Sequence, residues 1–287
     1  MSEEIQELYL EEWVNASPLE QRGFREAVHI ILTAISRSSA LNSRMIMKGG
    51  LLMAIRYESS RFTRDIDFST LDKYQQADEA ALLAELDQQL IMANELLPYD
   101  TMCLRQGAKL NPKSPEASFP TLQISIGYAS RSKDAHLKRL LAKGASTKVQ
   151  IDYSFDEAVL DTEILAIDDG ERLQAYSLTN LLAEKYRSLL QQPSRRRNRR
   201  QDVYDIYLLL TRCKGLSEYE RAKLLGQLIH SCSVRGIEAT RESMANPNVR
   251  DMASAEYDGL KSEIDQDLPD FTLAYETIQA FFEQLPW

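Results

Sequence analysis

A strict alternation of apolar and polar residues limits what the middle of this chain can form. From Lys148 to Phe155 every second residue of KVQIDYSF is apolar, and the same holds for TLQISIGY from Thr121 to Tyr128. Successive side chains of a strand point to opposite faces of its sheet, so each stretch predicts a strand with one apolar and one polar face. The chain must therefore build a sheet with a core on one side and polar groups on the other.

Helical periodicity governs most of the remaining sequence. Apolar residues recur at helical spacing after the capping pattern Ser17-Pro18-Leu19-Glu20, which predicts a helix from about Pro18 to Ser36. A second long helix is predicted over residues 77–96, and the pattern is mostly helical from Ser177 onward. Residues 106–120, QGAKLNPKSPEASFP, are typical of an irregular connection. We expect a mixed α/β (α+β) fold with a helical C-terminal region, in two domains, 1–165 and 166–287.

The composition is that of an ordinary globular protein. Of the 287 residues, 44% are hydrophobic and 27% charged, which excludes a disordered or fibrous chain. No apolar stretch approaches the roughly 20 residues that span a membrane, and the acidic start MSEEIQELYLEEW is unlike a secretory signal. Three widely spaced cysteines favour a reducing compartment over a disulfide framework. We therefore expect a cytoplasmic protein without a membrane partner.

The charge distribution is uneven. A net charge of −9 argues against nucleic acid covering the whole surface. Residues 131–148, however, contain six Lys or Arg residues and only one acid, Asp134. Residues 185–201 contain seven basic residues and no acid: Lys185, Arg187, Arg195, Arg196, Arg197, Arg199 and Arg200. Two basic segments on an acidic protein indicate local binding of phosphates.

The segment from Met47 to Phe68, MKGGLLMAIRYESSRFTRDIDF, contains two aspartates in a predicted strand. Residues i and i+2 of a strand share a face, so Asp65 and Asp67 lie side by side, where their charges repel unless a cation or a shared proton intervenes. Carboxylate pairs of this kind are ligands for hard divalent cations, and Asp152, on the polar face of another strand, is a candidate third ligand. Three acids on strands suit the two-metal chemistry of phosphoryl or nucleotidyl transfer.

The glycine pair in the same segment fits this chemistry. Gly49 and Gly50 lie between a predicted short strand and a brief helix, and fourteen residues separate Gly50 from Asp65. Glycines at the start of a helix allow backbone N–H groups to approach phosphate oxygens, and the helix N-terminus adds partial positive charge. Strand, glycine pair, helix and Asp-Ile-Asp strand together form a more specific pattern than either motif alone.

These residues resemble the nucleotidyltransferase signature of the AbiEii/AbiGii toxin family. That family has Lys-Gly-Gly and a later Arg-aromatic-Ser/Thr-x-Asp-x-Asp, with fourteen residues between the second glycine and the first of the two aspartates. These match Lys48-Gly49-Gly50 and the run from Arg61 to Asp67. A helical Glu-Lys, found here at Glu184-Lys185, and a later Arg-Asp followed by a second Asp complete the likeness. This chain differs because Gln201 separates Arg200 from Asp202 and because the arginine cluster lengthens the segment between Lys185 and Asp202.

The resemblance implies a nucleotidyltransferase-like mixed sheet flanked by helices, and a toxin of a bacterial toxin–antitoxin or abortive-infection (phage-defence) pair held in check by an antitoxin protein. It implies Mg²⁺ bound by Asp65, Asp67 and Asp152, and a catalytic role for Lys185 at the triphosphate or the departing pyrophosphate. The residues expected to bind the nucleotide (NTP) substrate are Lys48, Gly49, Gly50, Thr63, Arg64, Asp202 and Asp205.

Simpler interpretations of these residues remain open. Asp152 could be an exposed strand residue, Lys185 could extend from an apolar helix face to water, and Asp202 and Asp205 could serve as helix caps. We expect the enzyme to transfer NMP from an NTP to a hydroxyl of RNA, such as tRNA, or of another macromolecule, with the arginines at 195–200 holding phosphates. The alternatives are an enzyme that modifies a small molecule, as antibiotic-adenylating enzymes do, and a catalytically silent nucleotide- or RNA-binding regulator.

Overall fold

The computed structural model describes residues 6–114, 118–168, 170–213, 215–265 and 267–287. The chain divides into two compact units. The first comprises Met1–Ile55 and Thr63–Ala175, and the second comprises Arg56–Phe62 and Tyr176–Trp287. The short segment Arg56–Phe62 thus belongs to the helical second unit although it precedes the Asp-Ile-Asp strand of the first.

The first unit is built on an eight-stranded sheet with the order β1-β7-β8-β2-β3-β6-β5-β4. The sheet is mixed, because β3 pairs with β6 in parallel while β2 pairs with β3, and β5 with both β4 and β6, in antiparallel fashion. The strands are β1 (Gln6–Leu8), β2 (Ile46–Lys48), β3 (Asp65–Ser69), β4 (Thr101–Asn111), β5 (Thr121–Ser130), β6 (Lys148–Ser154), β7 (Thr162–Ile167) and β8 (Glu171–Tyr176).

Helices flank this sheet and form most of the second unit. Those before residue 150 are α1 (Leu10–Asn15), α2 (Leu19–Arg37), α3 (Ser39–Asn42), α4 (Gly49–Arg56), α5 (Gln76–Leu96) and α6 (Asp134–Leu141). Those after it are α7 (Leu178–Leu190), α8 (Gln192–Arg195), α9 (Arg200–Arg212), α10 (Glu218–Val234), α11 (Pro247–Ser254) and α12 (Phe271–Glu283). Short 3₁₀ helices cover Ser243–Ala245 and Tyr257–Ser262. None of the helices in the described ranges is both long enough and apolar enough to cross a lipid bilayer.

The predicted mixed α/β architecture is confirmed, and β3, β5, β6, α2 and α5 lie where the sequence patterns predict them. Two local predictions are wrong. The connection predicted over residues 106–120 begins as strand, because β4 continues to Asn111 and pairs with β5 along its length; residues 115–117 lie outside the described residues. The predicted capping box does not form, because the Ser17 hydroxyl donates to the Val14 carbonyl at 2.6 Å and Pro18 is the N-cap of α2.

The two faces of the central strands differ as the alternation requires. One face carries fully buried apolar side chains, among them Ile124, Ile126 and Ile151, and α2 packs on it, with Cys103 of β4 contacting the Ala27 carbonyl. The apolar stripe of α2 is buried there from Phe24 onward, which accounts for most of its stability. The opposite face carries the polar residues of the same strands, and it is the face of the Asp-Ile-Asp acids.

The second unit is a helical bundle with aromatic residues in its core. α7 packs against α9 and α10, and α9 packs against α12. The Tyr186 ring lies 5.3 Å from that of Phe282, and the Tyr186 hydroxyl donates to the Ile278 carbonyl at 2.8 Å. A second buried tyrosine, Tyr275, donates to the Met244 carbonyl at 2.9 Å. The hydroxyls of Tyr186 and Tyr275 thus both have an acceptor, which offsets the cost of their burial.

Candidate active site

A row of polar side chains, which we call the acidic row, crosses the centre of the sheet. Backbone pairing places Lys48 opposite Asp67, Asp67 opposite Asp152, and Asp152 opposite Gln123. Gln123 is in turn opposite Lys109 on the edge strand β4. Neighbouring strands lie about 4.8 Å apart, so the two carboxylates at the middle of the row are direct neighbours on one face.

A second polar row lies one step earlier along β3. Asp65 is opposite Gln150, which is opposite Ser125 and accepts a hydrogen bond from its hydroxyl at 2.7 Å. Burial raises the pKa of the Asp65 carboxyl, and the negative charge of Asp152 raises it further, while Arg64 lowers it by less. The environment of Asp65 therefore favours neutralisation of its charge, by a proton or by a cation.

Gly49 lies directly against the Asp67 carboxylate. It follows Lys48 as the first residue of α4, with Gly50 second, and its φ is +74°. A Cβ atom at position 49 would lie 2.0 Å from Asp67 Oδ2. A glycine is required here both by this contact and by the positive φ. The strand-to-helix turn is therefore packed on one of the two central carboxylates.

Gln123 holds the Asp152 carboxylate, a contact that the sequence pattern did not predict. Its Nε2 donates to Asp152 Oδ1 at 3.1 Å. The signal that could have found Gln123 was present, because it occupies a polar position in an alternating strand, as do Ser125 and Gln150. What the pattern did not indicate was that β5 and β6 are neighbours, which places these side chains beside the acids.

The other nucleotide-binding residues predicted in the first unit flank the acids along the chain. Lys48 is buried, and its Nζ lies 3.9 Å from Glu157 Oε1. The Thr63 hydroxyl donates to the Asp65 backbone carbonyl at 3.5 Å, and Arg64 is exposed. Contacts of these residues with a nucleotide stay a prediction.

The donor set of this face fits Mg²⁺ in its chemistry. Asp65, Asp67 and Asp152 present carboxylate oxygens from two adjacent strands, and hard divalent cations take oxygen ligands. Among the described residues, no group of three or more His, Cys, Asp or Glu side chains is arranged so that it could hold a metal ion. Mg²⁺ is usually bound through one or two carboxylates, with water and substrate phosphates as its other ligands. The residues therefore fit a metal that is bound together with a nucleotide.

The second unit contains a buried cluster of four charged side chains. Lys185 Nζ lies 2.6 Å from Asp205 Oδ2 and 3.2 Å from Asp202 Oδ1. The Arg61 guanidinium donates to both oxygens of Asp205 at 3.2 Å. Asp205 is 0% exposed, and Lys185 is 6% exposed. The positive charges of two cations thus balance the negative charges of two carboxylates in the interior of the second unit, away from water.

Protonation states in this cluster are determined by the pairing. Burial alone would raise the pKa of Asp205, but the charges of Lys185 and Arg61 outweigh it and lower that pKa. Burial alone would lower the pKa of Lys185, but Asp205 and Asp202 outweigh it and raise that pKa. Asp205 and Lys185 are therefore both charged at neutral pH, and each depends on its oppositely charged partners.

The cluster gives Lys185, Asp202 and Asp205 a structural role, whatever part they play in binding substrate. Asp202 Oδ2 is buried without a hydrogen-bond partner, so Lys185 provides the bond that its carboxylate does make. The sequence motif includes Arg61 but does not predict its ion pair, because the partner Asp205 lies 144 residues further along the chain. The catalytic role of Lys185 and the nucleotide-binding roles of Asp202 and Asp205 stay predictions.

The arginines between residues 195 and 200 differ in exposure and in their partners. Arg195, Arg196 and Arg197 are exposed, on α8 and in the turn after it, and Arg199 is half-buried. Arg200 instead bonds Glu256 and Glu263, each at 3.0 Å. Its guanidinium therefore stabilises the second unit and has less capacity for a phosphate than its neighbours.

Replacing Gly49 by alanine is expected to destabilise the protein by about 2 kcal/mol or more, because the new Cβ would collide with the Asp67 carboxylate at a positive φ. Thermal unfolding of the variant measures this loss. Gly226→Ala is the matched control, since a Cβ there meets nothing within 4 Å in the interior of α10, and it should stabilise by about 0.5–1 kcal/mol. Equal stability of Gly49→Ala and the wild type would contradict the close contact.

Comparison with solved structures shows a similar fold. A structure from Helicobacter pylori described as a candidate nucleotidyltransferase has this fold. The two share 13% identity over 94% of this chain and 96% of that one, with a TM-score of 0.53. JHP933 from Helicobacter pylori aligns over 92% of this chain and all of its own, with 13% identity and a TM-score of 0.42. No curated protein matches the chain.

The family itself is shown by the sequence. Residues 30–284 match the family described as nucleotidyl transferase AbiEii toxin, type IV toxin–antitoxin system. The chain therefore belongs to the AbiEii family, and the resemblance on which the sequence analysis relied is confirmed.

Proposed function

We propose that the protein is a Mg²⁺-dependent nucleotidyltransferase that transfers NMP from an NTP to a hydroxyl of RNA. The observation that carries this proposal is the acidic row, in which Asp67 and Asp152 lie on adjacent strands and Gly49 is packed against Asp67. Side-by-side carboxylates are costly without a cation, so an arrangement that gathers them on one polar face favours a role in binding one.

Different residues of the first unit have different roles in this reaction. Backbone N–H groups at Gly49 and Gly50 bind phosphate oxygens at the start of α4, with Lys48, Thr63 and Arg64 beside them. Mg²⁺, held by one or two of the carboxylates of Asp65, Asp67 and Asp152 together with phosphate oxygens and water, would neutralise charge on the reacting phosphate. In the second unit, the role proposed for Lys185 is charge stabilisation of the leaving pyrophosphate, and that for Asp202 and Asp205 is nucleotide binding.

The chemical step is a single displacement at phosphorus. The acceptor hydroxyl oxygen attacks the α-phosphorus and forms a new P–O bond, while the bond from that phosphorus to the bridging oxygen of the β-phosphate breaks. Pyrophosphate leaves with the electron pair, and the hydroxyl proton passes to a carboxylate of the acidic row. Orienting the two reactants accounts for much of the acceleration expected of such a site.

An RNA acceptor is supported by the exposed arginines of the second unit. Arg195, Arg196 and Arg197 are exposed, as is expected of groups that bind a phosphate backbone. A small neutral acceptor would not require them, which disfavours the small-molecule alternative. Membership of a type IV toxin–antitoxin family supports action as a toxin, in phage defence, with an antitoxin as the partner.

Incubation with each labelled NTP and total cellular RNA, with and without Mg²⁺, tests this function. We expect labelled RNA with one or more NTPs, release of pyrophosphate, and loss of both products when EDTA removes the metal, because the carboxylates alone cannot stabilise the phosphate charge. Label that appears only on small molecules would support the antibiotic-type alternative. NTP binding without any transfer would support the silent regulator.

A further inference from the structure

Helix α6 lies on the face of the sheet that carries the acids. Leu137 and Leu140 of α6 pack against Met102, Leu104 and Ala129. Ala129 lies an even number of residues after Gln123 and Ser125 on β5, so it shares a face with them. Met102 and Leu104 lie opposite Ala129 and Gly127 and therefore share that face. α6 thus covers one end of the acid-bearing face, whereas α2 covers the opposite face.

The helix is fixed in place by a β-bulge. The register of β4 and β5 shifts between Arg105 and Gly107, which leaves Gln106 outside the regular pairing. Gln106 Nε2 donates to the Leu140 carbonyl at 3.3 Å, and its Oε1 accepts from the Ala145 N–H at 3.0 Å. A Cβ at Gly127 would lie 2.6 Å from the Ala145 Cβ, so the loop after α6 is seated directly on β5. The outer surface of α6 is therefore held by a rigid support.

That outer surface is basic. Lys138 and Arg139 of α6 are exposed, as are three further lysines before and after the helix. None of the five side chains forms an ion pair within the part of the chain that the structure describes, and Asp134 is the one acid in their segment. We call these residues the α6 basic surface: Lys133, Lys138, Arg139, Lys143 and Lys148.

The α6 basic surface leads directly to the carboxylates. Lys148 is the first residue of β6 and shares its polar face with Gln150 and Asp152. It is four residues from Asp152, about 13 Å along the strand, and two residues from the position opposite Asp65. At the other end of the acidic row, exposed Lys109 extends the positive charge along β4.

We infer that the α6 basic surface binds the phosphate backbone of an RNA strand and guides it along the sheet face to Asp65, Asp67 and Asp152. This inference rests on the proposed function for the identity of the acceptor. α6 is eight residues long, about 12 Å, and the surface continues from it to Lys148. One triphosphate at Gly49 cannot reach all of these cations, but a polymer with a charge on every nucleotide can.

The overall charge of the protein strengthens this inference. On a chain of net charge −9, five cations without acid partners on a rigid support create a local field that attracts a polyanion. A merely solvated surface would not need to lie on the acid-bearing face or to be anchored by Gln106. An acidic protein segment is the other possible occupant, but its spaced carboxylates offer no hydroxyl for nucleotide transfer.

The test replaces two cations of α6 and measures RNA binding apart from catalysis. The variant is Lys138→Gln/Arg139→Gln, because glutamine keeps the helix propensity and removes the charge. The control is Lys73→Gln/Arg172→Gln, which removes one exposed lysine and one exposed arginine elsewhere in the first unit. Both pairs are made in the wild type and in Asp67→Asn, and anisotropy of a short labelled single-stranded RNA is measured over a range of salt concentrations without NTP.

We expect the α6 variant to bind RNA about tenfold more weakly at low salt. The magnitude of the slope of log K against log[salt] should fall by about 1.4, because each contact formed with a single strand releases about 0.7 of a counterion and the variant lacks two contacts. The control should keep both values. Unchanged binding, an equal loss in the control, or tighter binding of polyglutamate than of RNA would overturn the inference.

The same measurements separate this inference from the proposed function. If Asp67→Asn binds RNA as the wild type does but the wild type transfers no nucleotide, the proposed function fails while RNA binding by the α6 basic surface is retained. If transfer proceeds and the α6 variant leaves RNA binding and KM unchanged, the surface fails while the function stands.

Discussion

Replacing Asp67 by asparagine is expected to lower nucleotide transfer by about a thousandfold or more, while the melting temperature stays equal or rises. Loss of one charge-stabilising group in an active site commonly costs this factor. Asp67 is opposite Asp152 and two residues from Asp65 on the same face, so removing its charge relieves repulsion in the metal-free protein. Initial rates with the NTP identified by the labelling experiment, together with calorimetry, measure both effects.

The control for this variant is Asp251→Asn, at an exposed position of α11, which should change neither quantity. Growth provides a second measurement, because expression of the wild-type chain in bacteria should slow growth and Asp67→Asn should relieve it. Outright unfolding of Asp67→Asn would show that the carboxylate is structural and would remove the basis for the metal site. Normal growth on high expression of the wild type would count against the toxin but not against transferase chemistry.

Replacing Lys185 by methionine is expected to destabilise the protein by about 3–5 kcal/mol, the usual cost of breaking a buried ion pair from one side. Asp205 would keep Arg61, but Asp202 would lose the one bond that its Oδ1 makes to Lys185, and its Oδ2 already has no partner. A buried carboxylate without hydrogen bonds is the unfavourable product. Chemical denaturation at pH 7 measures the loss.

Two comparisons separate this effect from a general loss of charge. Lys261→Met removes a cation whose pair with Asp258 is exposed, so it should cost less than about 1 kcal/mol. In a double-mutant cycle, Lys185→Met/Asp202→Asn should recover part of the stability, because the uncompensated charge has gone. A Lys185→Met variant as stable as Lys261→Met would contradict the buried cluster.

The pH dependence of the cluster follows from its shifted pKa values. Asp205 has a lowered pKa, so its contribution is present above the carboxyl's unfolded pKa of about 4 and is lost as the pH falls through the lower folded value. Lys185 has a raised pKa, so its contribution is present below about pH 10.4 and is lost as the pH rises through the higher folded value. At pH 7 both contributions are complete, which makes it the appropriate pH for the comparison.

The sequence by itself determined the elements that carry the acids and the faces on which they lie. The period of two in β6 placed Asp152 on the polar face, and the strand predicted to carry Asp65 and Asp67 coincides with β3. These inferences succeeded because alternation is a local property, fixed by the geometry of one extended strand. The glycine pair was also recognisable locally, although its packing against Asp67 was not.

Only the tertiary structure decided which strands became neighbours. Asp67 lies opposite Asp152, 85 residues further along the chain, because β3 and β6 pair in parallel, and β5 then adds Gln123 to the row. Nothing local specifies such pairing, since it depends on the register and order of the whole sheet. The β4 strand was missed for the same reason: its pairing with β5 outweighs the weak strand propensity of Gly107 and Lys109.

Burial of charge was likewise decided by tertiary structure. The helical pattern showed that Lys185 lies on an apolar stripe, which is compatible with a side chain that reaches water and equally with one paired inside. Its two carboxylates come from α9, and Asp205 is also bonded by Arg61 from a segment more than a hundred residues earlier. A lysine in a core is stable only when acids reach it, and which acids do so depends on how the helices pack.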